Sequence, residues 1–202
     1  MSQRGSYKKS EASRKQVLDA ALRELSERGY ARTSVSDIAA AAGMSKGAVH
    51  YHFDSKDDLI EQVLARCFEA MSEKLREAWD VSGTAEERVC RTLRAMRAMR
   101  RGGGTELRVL ADLMAQGIHD ERLRKPIAAM LQLSRKQIVE HMVVSLKVLG
   151  LEPKVPVEAL ARLLLGTLDG LALHAFFEPA TEAESDETER VLEGIVLSLF
   201  ER

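Results

Sequence analysis

The chain has 202 residues, of which 45% are hydrophobic and 30% charged, with 30 Lys and Arg against 31 Asp and Glu. This composition excludes a disordered polyelectrolyte and a miniprotein that needs disulfides or metals to form a core. Residues 163–177 are the best candidate for a membrane span, and Asp169 interrupts them, so no transmembrane helix is expected.

The N-terminus is polar and basic and lacks the hydrophobic stretch of a secretory signal, which predicts a cytoplasmic protein. Cys67 and Cys90 lie far apart, outside any Cys-x-x-Cys motif, so neither a zinc site nor a disulfide is indicated. We therefore predict no metal and no cofactor.

Charge is distributed unevenly along the chain. Residues 1–56 contain 10 Lys and Arg against 6 Asp and Glu, whereas residues 178–202 contain 2 against 8. A basic head and an acidic tail indicate that a polyanion, if one is bound, meets the N-terminal third. Solvation of a protein face is the alternative explanation of such charge runs.

The first four predicted helices are short or clearly capped. The first runs from about Ser10 to Arg28 and stops at Gly29. The second begins with the capping box Ser34-x-x-Asp37 and ends at Gly43. Ser45 caps the third, which ends near residue 53, and a further Ser-x-x-Asp box at residues 55–58 opens a fourth helix that reaches about residue 79.

Five further helices complete an all-α fold of about nine helices, and no segment reads as a strand. Thr84 with Glu87 caps the fifth, which ends at residue 100 or 101 before a flexible Gly-Gly-Gly joint at residues 102–104. The sixth covers residues 105–115, and the seventh has Pro126 near its start and reaches residue 149. The eighth starts at about Pro156, and Ser185 or Asp186 is expected to cap the ninth.

The eighth predicted helix is apolar nearly all the way round, so one layer of its own domain cannot cover it. The same helices of a second subunit, packed about a two-fold axis, would cover it, which predicts a homodimer. Gly166 and Gly170 would let a partner backbone approach closely, and packing against the ninth helix of the same chain is the alternative use of these glycines.

A short helix, a tight glycine turn and a second short helix in a basic segment are typical of a helix-turn-helix, whose second helix enters the DNA major groove. The segments Gly29-Tyr30, residues 33–39, residues 42–47 and residues 49–59 closely resemble the N-terminal DNA-binding domain of the TetR family of transcriptional regulators. The resemblance covers about residues 12–60. It implies a flexible basic arm over residues 1–9, a three-helix DNA-binding domain over residues 10–56, and a helical effector-binding and dimerisation domain over residues 57–202.

The DNA-binding segment divides into residues that hold the reading helix and residues that contact DNA. Apolar spacing predicts that Ile38, Ala39, Val49 and Phe53 face the first helix and hold the third. The resemblance implies that the third helix reads base edges through its exposed first turn, joined by one residue of the second helix: Ser36, Lys46, Gly47, Ala48 and His50.

Hydroxyl, phenol, imidazole and lysine groups beside the two helix N-termini suit phosphate oxygens, and they belong to Thr33, Ser34, Tyr51, His52 and Lys56. Ser34 can instead serve only as a cap, and His52 can instead be a packed, hydrogen-bonded imidazole. The family usually has tyrosine where this chain has His50, so an imidazole replaces a phenol at that contact.

The resemblance also implies that the C-terminal helices surround a pocket for a small effector, and that effector binding shifts the fourth helix. Adaptable or bulky groups on the middle helices suit an apolar ligand, although core packing is their alternative role: Trp79, Met96, Met99, Met114 and Met130. Asp169 lies in the most apolar stretch, where it would either pair with an arginine or backbone group or orient a ligand.

The implied function is a repressor that a small, largely apolar effector releases from a palindromic operator in double-stranded DNA. A DNA-binding dimer that responds to a protein partner or to nothing, and an activator, are the alternatives. The sequence contains no Glu-x-x-His pair, no phosphate-binding Gly-x-x-x-x-Gly-Lys loop and no Gly-x-Ser-x-Gly elbow, so no enzyme is predicted.

Overall fold

The computed structural model describes residues 3–79, 83–98 and 104–201 of the chain. Within these residues the protein forms nine α-helices, one 3₁₀ turn at Tyr30–Arg32 and two strands of two residues each, which confirms the predicted all-α fold. In chain order the helices are α1 (Gln3–Arg28), α2 (Val35–Ala41), α3 (Lys46–His50), α4 (Lys56–Trp79), α5 (Ala85–Ala98), α6 (Thr105–Gly117), α7 (Glu121–Leu149), α8 (Val157–His174) and α9 (Glu182–Ser198).

Most helix boundaries follow the capping groups that the sequence indicates. The capping box of Ser34 and Asp37 is present at α2, and the Ser45 side chain caps α3. Thr84 and Glu87 make the reciprocal bonds of a capping box ahead of α5. These local bonds satisfy amide groups that a helix start leaves unpaired, so they fix where the helices begin.

Two helix starts differ from the prediction. The first helix begins at Gln3 rather than at Ser10, so residues 3–9 of the predicted basic arm belong to α1. The expected cap of the ninth helix at Ser185 or Asp186 is wrong, because Thr181 caps α9: its hydroxyl accepts from the Glu184 amide at 3.3 Å while Glu184 Oε2 accepts from the Thr181 amide at 2.8 Å. A complete Thr-x-x-Glu box satisfies two amides, more than a lone cap does.

The prediction that the chain has no strand is also wrong. Strand β1 (Glu152–Pro153) pairs antiparallel with β2 (Phe200–Glu201), and the Lys154 amide donates to Leu199 O at 2.8 Å beside this pair. Two residues are too few to produce the alternation of apolar and polar side chains that identifies a strand in a sequence.

The first of two compact units contains residues 3–67 and Thr105–Met130, that is α1, α2, α3, the beginning of α4, α6 and the beginning of α7. In this unit α1 packs against both α2 and α6. Buried apolar side chains from several of these helices form its core, among them Leu25, Ile38, Phe53, Leu59 and Leu113. The unit is therefore larger than the predicted DNA-binding domain, because it also takes in α6.

The second unit contains the described residues of 68–104 and 131–201. One cluster of its core brings together Leu75, Met96, Ile138 and Leu168, and a second one contains Leu93, Leu160, Leu164 and Val196. In the described part of the chain, no helix combines the length and the apolarity needed to cross a membrane.

Candidate nucleic-acid interface

A tight turn connects α2 to α3 in the first unit. Gly43 has a φ of +65°, a conformation that favours glycine, and the Met44 amide donates to Ala39 O at 2.9 Å. Ser45 Oγ then accepts from the Ala48 amide at 3.1 Å and starts α3 directly after the turn. Two short helices joined in this way form a helix-turn-helix.

The buried face of this motif fixes the position of α3. Ile38, Ala39, Val49 and Phe53 are all at most 2% exposed, as the prediction that they hold the third helix requires. The Arg14 guanidinium of α1 lies over the Phe53 ring, 5.5 Å from its centroid. Because these side chains are packed inside the unit, they are unavailable to DNA.

The opposite face of α3 is open to solvent. Lys46, Gly47 and His50 are exposed, Ala48 is half-buried, and Tyr51 just after the helix is 78% exposed. Ser36 of α2 is exposed as well. Cationic, small and aromatic residues thus lie side by side on the exposed surface, opposite the face that packs inside the unit.

An open concavity brings together residues of the 3₁₀ turn, both short helices and the start of α4. Basic and hydroxyl side chains dominate its wall, and six of its lining residues were proposed from the sequence as DNA contacts: Thr33, Ser34, Ser36, Lys46, His50 and Lys56. Such a surface suits the phosphate oxygens and base edges of a nucleic acid.

Two of these side chains are engaged inside the protein. Thr33 is 2% exposed, and its hydroxyl donates to Gly29 O at 2.8 Å. Lys56 Nζ donates to Tyr30 O at 2.9 Å and lies 3.8 Å from the centroid of the Tyr30 ring. Burial lowers the pKa of Lys56. Lys56 therefore clamps the 3₁₀ turn to the start of α4.

Ser34 and His52 also have structural partners. Ser34 makes the capping box with Asp37, and hydrogen bonds from Ser34 lower the pKa of the Asp37 carboxyl. His52 Nε2 lies 2.7 Å from Ser13 Oγ, whose proton goes to Ser10 O at 3.0 Å, so the imidazole donates to the Ser13 oxygen. Both alternatives that the sequence left open, the helix cap and the hydrogen-bonded imidazole, are present in the fold.

Sequence reasoning missed Asp112 of α6. Its Oδ2 accepts a hydrogen bond of 2.6 Å from the Tyr30 amide, which starts the 3₁₀ turn leading into α2. Gly29 precedes this amide with a φ of +77°, and a Cβ placed there would lie 3.3 Å from Asp112 Oδ2. No local motif reveals a bond between residues that are 82 positions apart in the chain.

The described residues among those predicted for an effector pocket are divided between the two units. Met96 of α5 lines an apolar cavity in the second unit, whereas Met114 and Met130 belong to the first unit and Asp169 is half-buried on α8, where it has a partner. Met99 and the Trp79 side chain lie outside the described part of the chain. Among the described residues, no three His, Cys, Asp or Glu side chains form a group that could hold a metal ion.

The fold of the first unit and the exposed face of α3 define the class of a helix-turn-helix domain. The family model described as "Bacterial regulatory proteins, tetR family" matches residues 17–63. The HTH-type transcriptional regulator TtgR of Pseudomonas putida is 38% identical over 61 residues, which are 30% of this chain and 29% of that protein. The HTH-type transcriptional repressor KstR2 of Rhodococcus jostii is 39% identical over 64 residues, 32% of this chain and 31% of that protein.

The likeness to these curated relatives thus spans less than a third of their length. A crystal structure of a putative TetR-family transcriptional regulator from Rhodococcus sp. matches 93% of this chain and 97% of its own, with a TM-score of 0.78 at 21% identity. This likeness shows that the fold is shared. Residues 17–63 of the chain are therefore similar to the N-terminal domain of the TetR family of bacterial regulatory proteins.

Proposed function

We propose that this protein is a sequence-specific transcriptional regulator, a repressor that a small, largely apolar effector releases from a palindromic DNA operator. The observation that carries the proposal is the two-sided environment of α3. On its apolar face Val49 is only 1% exposed, while Lys46 and His50 are exposed on the other side. A helix that is held rigidly on one side and offers polar groups on the other can enter the major groove.

The side chains of α3 and of the start of α2 have separate roles in this proposal. Ser36, Lys46 and His50 read base edges, while the small Gly47 and Ala48 allow the helix to approach the groove closely. Tyr51, exposed just beyond the helix, contacts a phosphate.

The remaining residues of the predicted DNA-contacting set act differently. Ser34 combines its cap with a phosphate contact, since the residue is exposed. Thr33, His52 and Lys56 position the motif, because their polar groups are bonded inside the first unit.

A homodimer accounts for apolar side chains that the second unit leaves in solvent. On α8 and just beyond it, Leu163 is 56% and Phe177 is 83% exposed, and on α9 Val191 is 57% and Ile195 is 50% exposed. Exposed apolar surface of this kind marks a protein interface. The partner proposed here is a second copy, whose two-fold symmetry the operator would mirror.

A charge at this interface tests the dimer. Ile195→Glu is expected to yield a single subunit in sedimentation, since a buried carboxylate without a partner disfavours association. Val148→Glu is the matched control, because Val148 is also exposed, at 68%, but lies on α7. If both variants remain dimers, α9 is not the interface.

The apolar cavity of the second unit supports the effector part of the proposal. It lies among α5, α7, α8 and α9, and a molecule that prefers one conformation of the protein would shift DNA affinity by its differential affinity for the two. The target DNA places the protein in the bacterial cytoplasm. We propose residues 10–56 as the DNA-reading part and residues 57–202 as the sensing and dimerising part.

Selection of bound duplexes from random DNA tests the central proposal. We expect a two-fold-symmetric motif, and affinity that falls steeply as salt concentration rises. Lys46→Ala should weaken binding and reduce the salt dependence. Lys125→Ala, an exposed lysine of α7 in the same unit, should change neither. Selection of no preferred sequence would refute the assignment.

A further inference from the structure

The cavity of the second unit has a well-defined wall. One face of α5 contributes Val89, Leu93 and Met96, and one face of α7 contributes Ile138 and Met142, among others. These residues recur at spacings of three or four along their helices, which places them on one side of each. One row of apolar side chains from each of these two helices therefore contributes to the wall.

Three other elements contribute to the wall of the cavity. Leu164 of α8 and Val196 of α9 lie in its wall, and Phe200 of β2 covers a further part. The pairing of Phe200 with Pro153 in the short sheet and the bond of 2.8 Å from the Lys154 amide to Leu199 O hold this cover in place. The space inside this partly open cavity is about 70 Å³.

Polar groups are few in this wall. Among the described residues that line it, Arg88 is the one charged residue, and Arg88 already has a partner within the protein. The Thr92 hydroxyl donates to Arg88 O at 2.9 Å. Ser145 is half-buried and lines the cavity, and its hydroxyl makes no hydrogen bond to another described residue.

We propose that this cavity is a binding site for a small, uncharged and largely apolar molecule that carries one hydrogen-bonding group, which Ser145 recognises. Burying a charge without a counter-charge costs far more than burying a hydroxyl that finds one bond. An engineered cavity of about 150 Å³ holds benzene, so the preformed space suits a body smaller than that ring. Met96 and Met142 have flexible side chains that let the space adapt to the ligand.

The inference deepens the proposed effector response and rests on it for its regulatory meaning. Ligand binding and DNA release are therefore measured separately. The probes are 1-butanol, butyrate and butylammonium, which share a four-carbon body and differ in charge. The signals are the methyl groups of methionine in ¹³C-labelled full-length protein, because Met96 and Met142 line the cavity and Met44 and Met114 belong to the other unit.

We expect 1-butanol to shift the Met96 and Met142 signals saturably while the Met44 and Met114 signals stay in place. Butyrate and butylammonium should bind at least about tenfold more weakly, since each must bury a charge. Tighter binding of butyrate than of 1-butanol, or no saturable shift by 1-butanol up to its solubility limit, would overturn the proposal.

Three variants locate the site. Val89→Phe fills the cavity from a half-buried position and should abolish binding, whereas Val143→Phe adds the same ring at a 52% exposed position of α7 and should not. Ser145→Ala keeps the fold's apolar packing and should weaken 1-butanol binding about two- to tenfold, the value of one hydrogen bond. Unchanged binding in both Val89→Phe and Ser145→Ala would overturn the proposed location.

The two measurements separate failure of the proposed regulatory function from failure of the proposed ligand site. Saturable binding of 1-butanol that leaves DNA affinity unchanged supports the cavity as a ligand site and refutes its role in DNA release. Absence of sequence-specific DNA binding refutes the proposed regulator, whatever the methionine signals show.

Discussion

Replacing Asp112 by alanine removes the acceptor of the hydrogen bond that the Tyr30 amide donates across 2.6 Å. The bond is partly buried, and a backbone amide that loses its partner in such a place costs about 1–3 kcal/mol of folding free energy. For a protein of this size, 1 kcal/mol corresponds to roughly 2–4 °C in Tm. We therefore expect the Asp112→Ala variant to melt roughly 2–12 °C below the parent protein.

The effect should be local as well as global. The Tyr30 amide should exchange its hydrogen faster in the variant, because no other acceptor of this amide is found among the described residues. The Ile38 amide, which donates to Ser34 O at 3.1 Å inside α2, serves as the internal reference. Asp112→Asn retains an acceptor oxygen and should lose less stability than Asp112→Ala.

Thermal melting and hydrogen exchange of the Tyr30 amide are the two measurements. Glu121→Ala is the control, since Glu121 is an exposed carboxylate of the same unit in a surface pair with Lys125, where little stability is at stake. If Asp112→Ala melts with the parent and keeps the parent's exchange rate at Tyr30, the assigned role of Asp112 is refuted.

Three further predictions follow from the described contacts. Lys56→Met should destabilise the protein and leave the salt dependence of DNA binding intact, because Lys56 Nζ is bonded to Tyr30 O at 2.9 Å, whereas Lys46→Ala should do the reverse. Ser34→Ala should cost about 1 kcal/mol in urea melts through loss of the α2 cap. In the native protein, half-buried Cys90 should be alkylated before buried Cys67. Burial raises the pKa of the Cys67 thiol from 9.0 to about 12. The stability that this thiol contributes is therefore fully present below pH 9 and is lost as pH rises from 9.0 to about 12.

For each of these predictions, a specific result would contradict it. A reduced salt dependence in Lys56→Met would mean that Lys56 contacts phosphate after all. An unchanged urea midpoint in Ser34→Ala would show that the Ser34 cap does not stabilise the protein. Alkylation of both cysteines at one rate, followed by mass spectrometry, would contradict the burial of Cys67, as would urea midpoints that stay constant above pH 9.

Local rules recovered the helix-turn-helix well. The capping residues Ser34 and Ser45, the turn at Gly43 and the buried positions Val49 and Phe53 all depend on neighbours within a few residues or on helical spacing. A single sequence contains that information directly. The same rules failed at α9, where the capping box of Thr181 was overlooked in favour of the lone polar residues that follow.

Contacts between distant parts of the chain could not be predicted. Nothing near Asp112 or Tyr30 indicates their hydrogen bond, and nothing near Lys56 shows that its ammonium group is held by a backbone carbonyl 26 positions away. The same limit applies to the cavity, because methionine spacing does not show that Met96 lines it while Met130, which is also buried, belongs to the other unit.

Sedimentation of the protein alone and with its selected duplex shows whether two protomers together present the rigid reading helices to DNA. The account predicts a particle of twice 22.4 kDa in free solution and two protomers on each two-fold-symmetric duplex. A single protomer that binds the symmetric duplex with full affinity and sequence preference would contradict it.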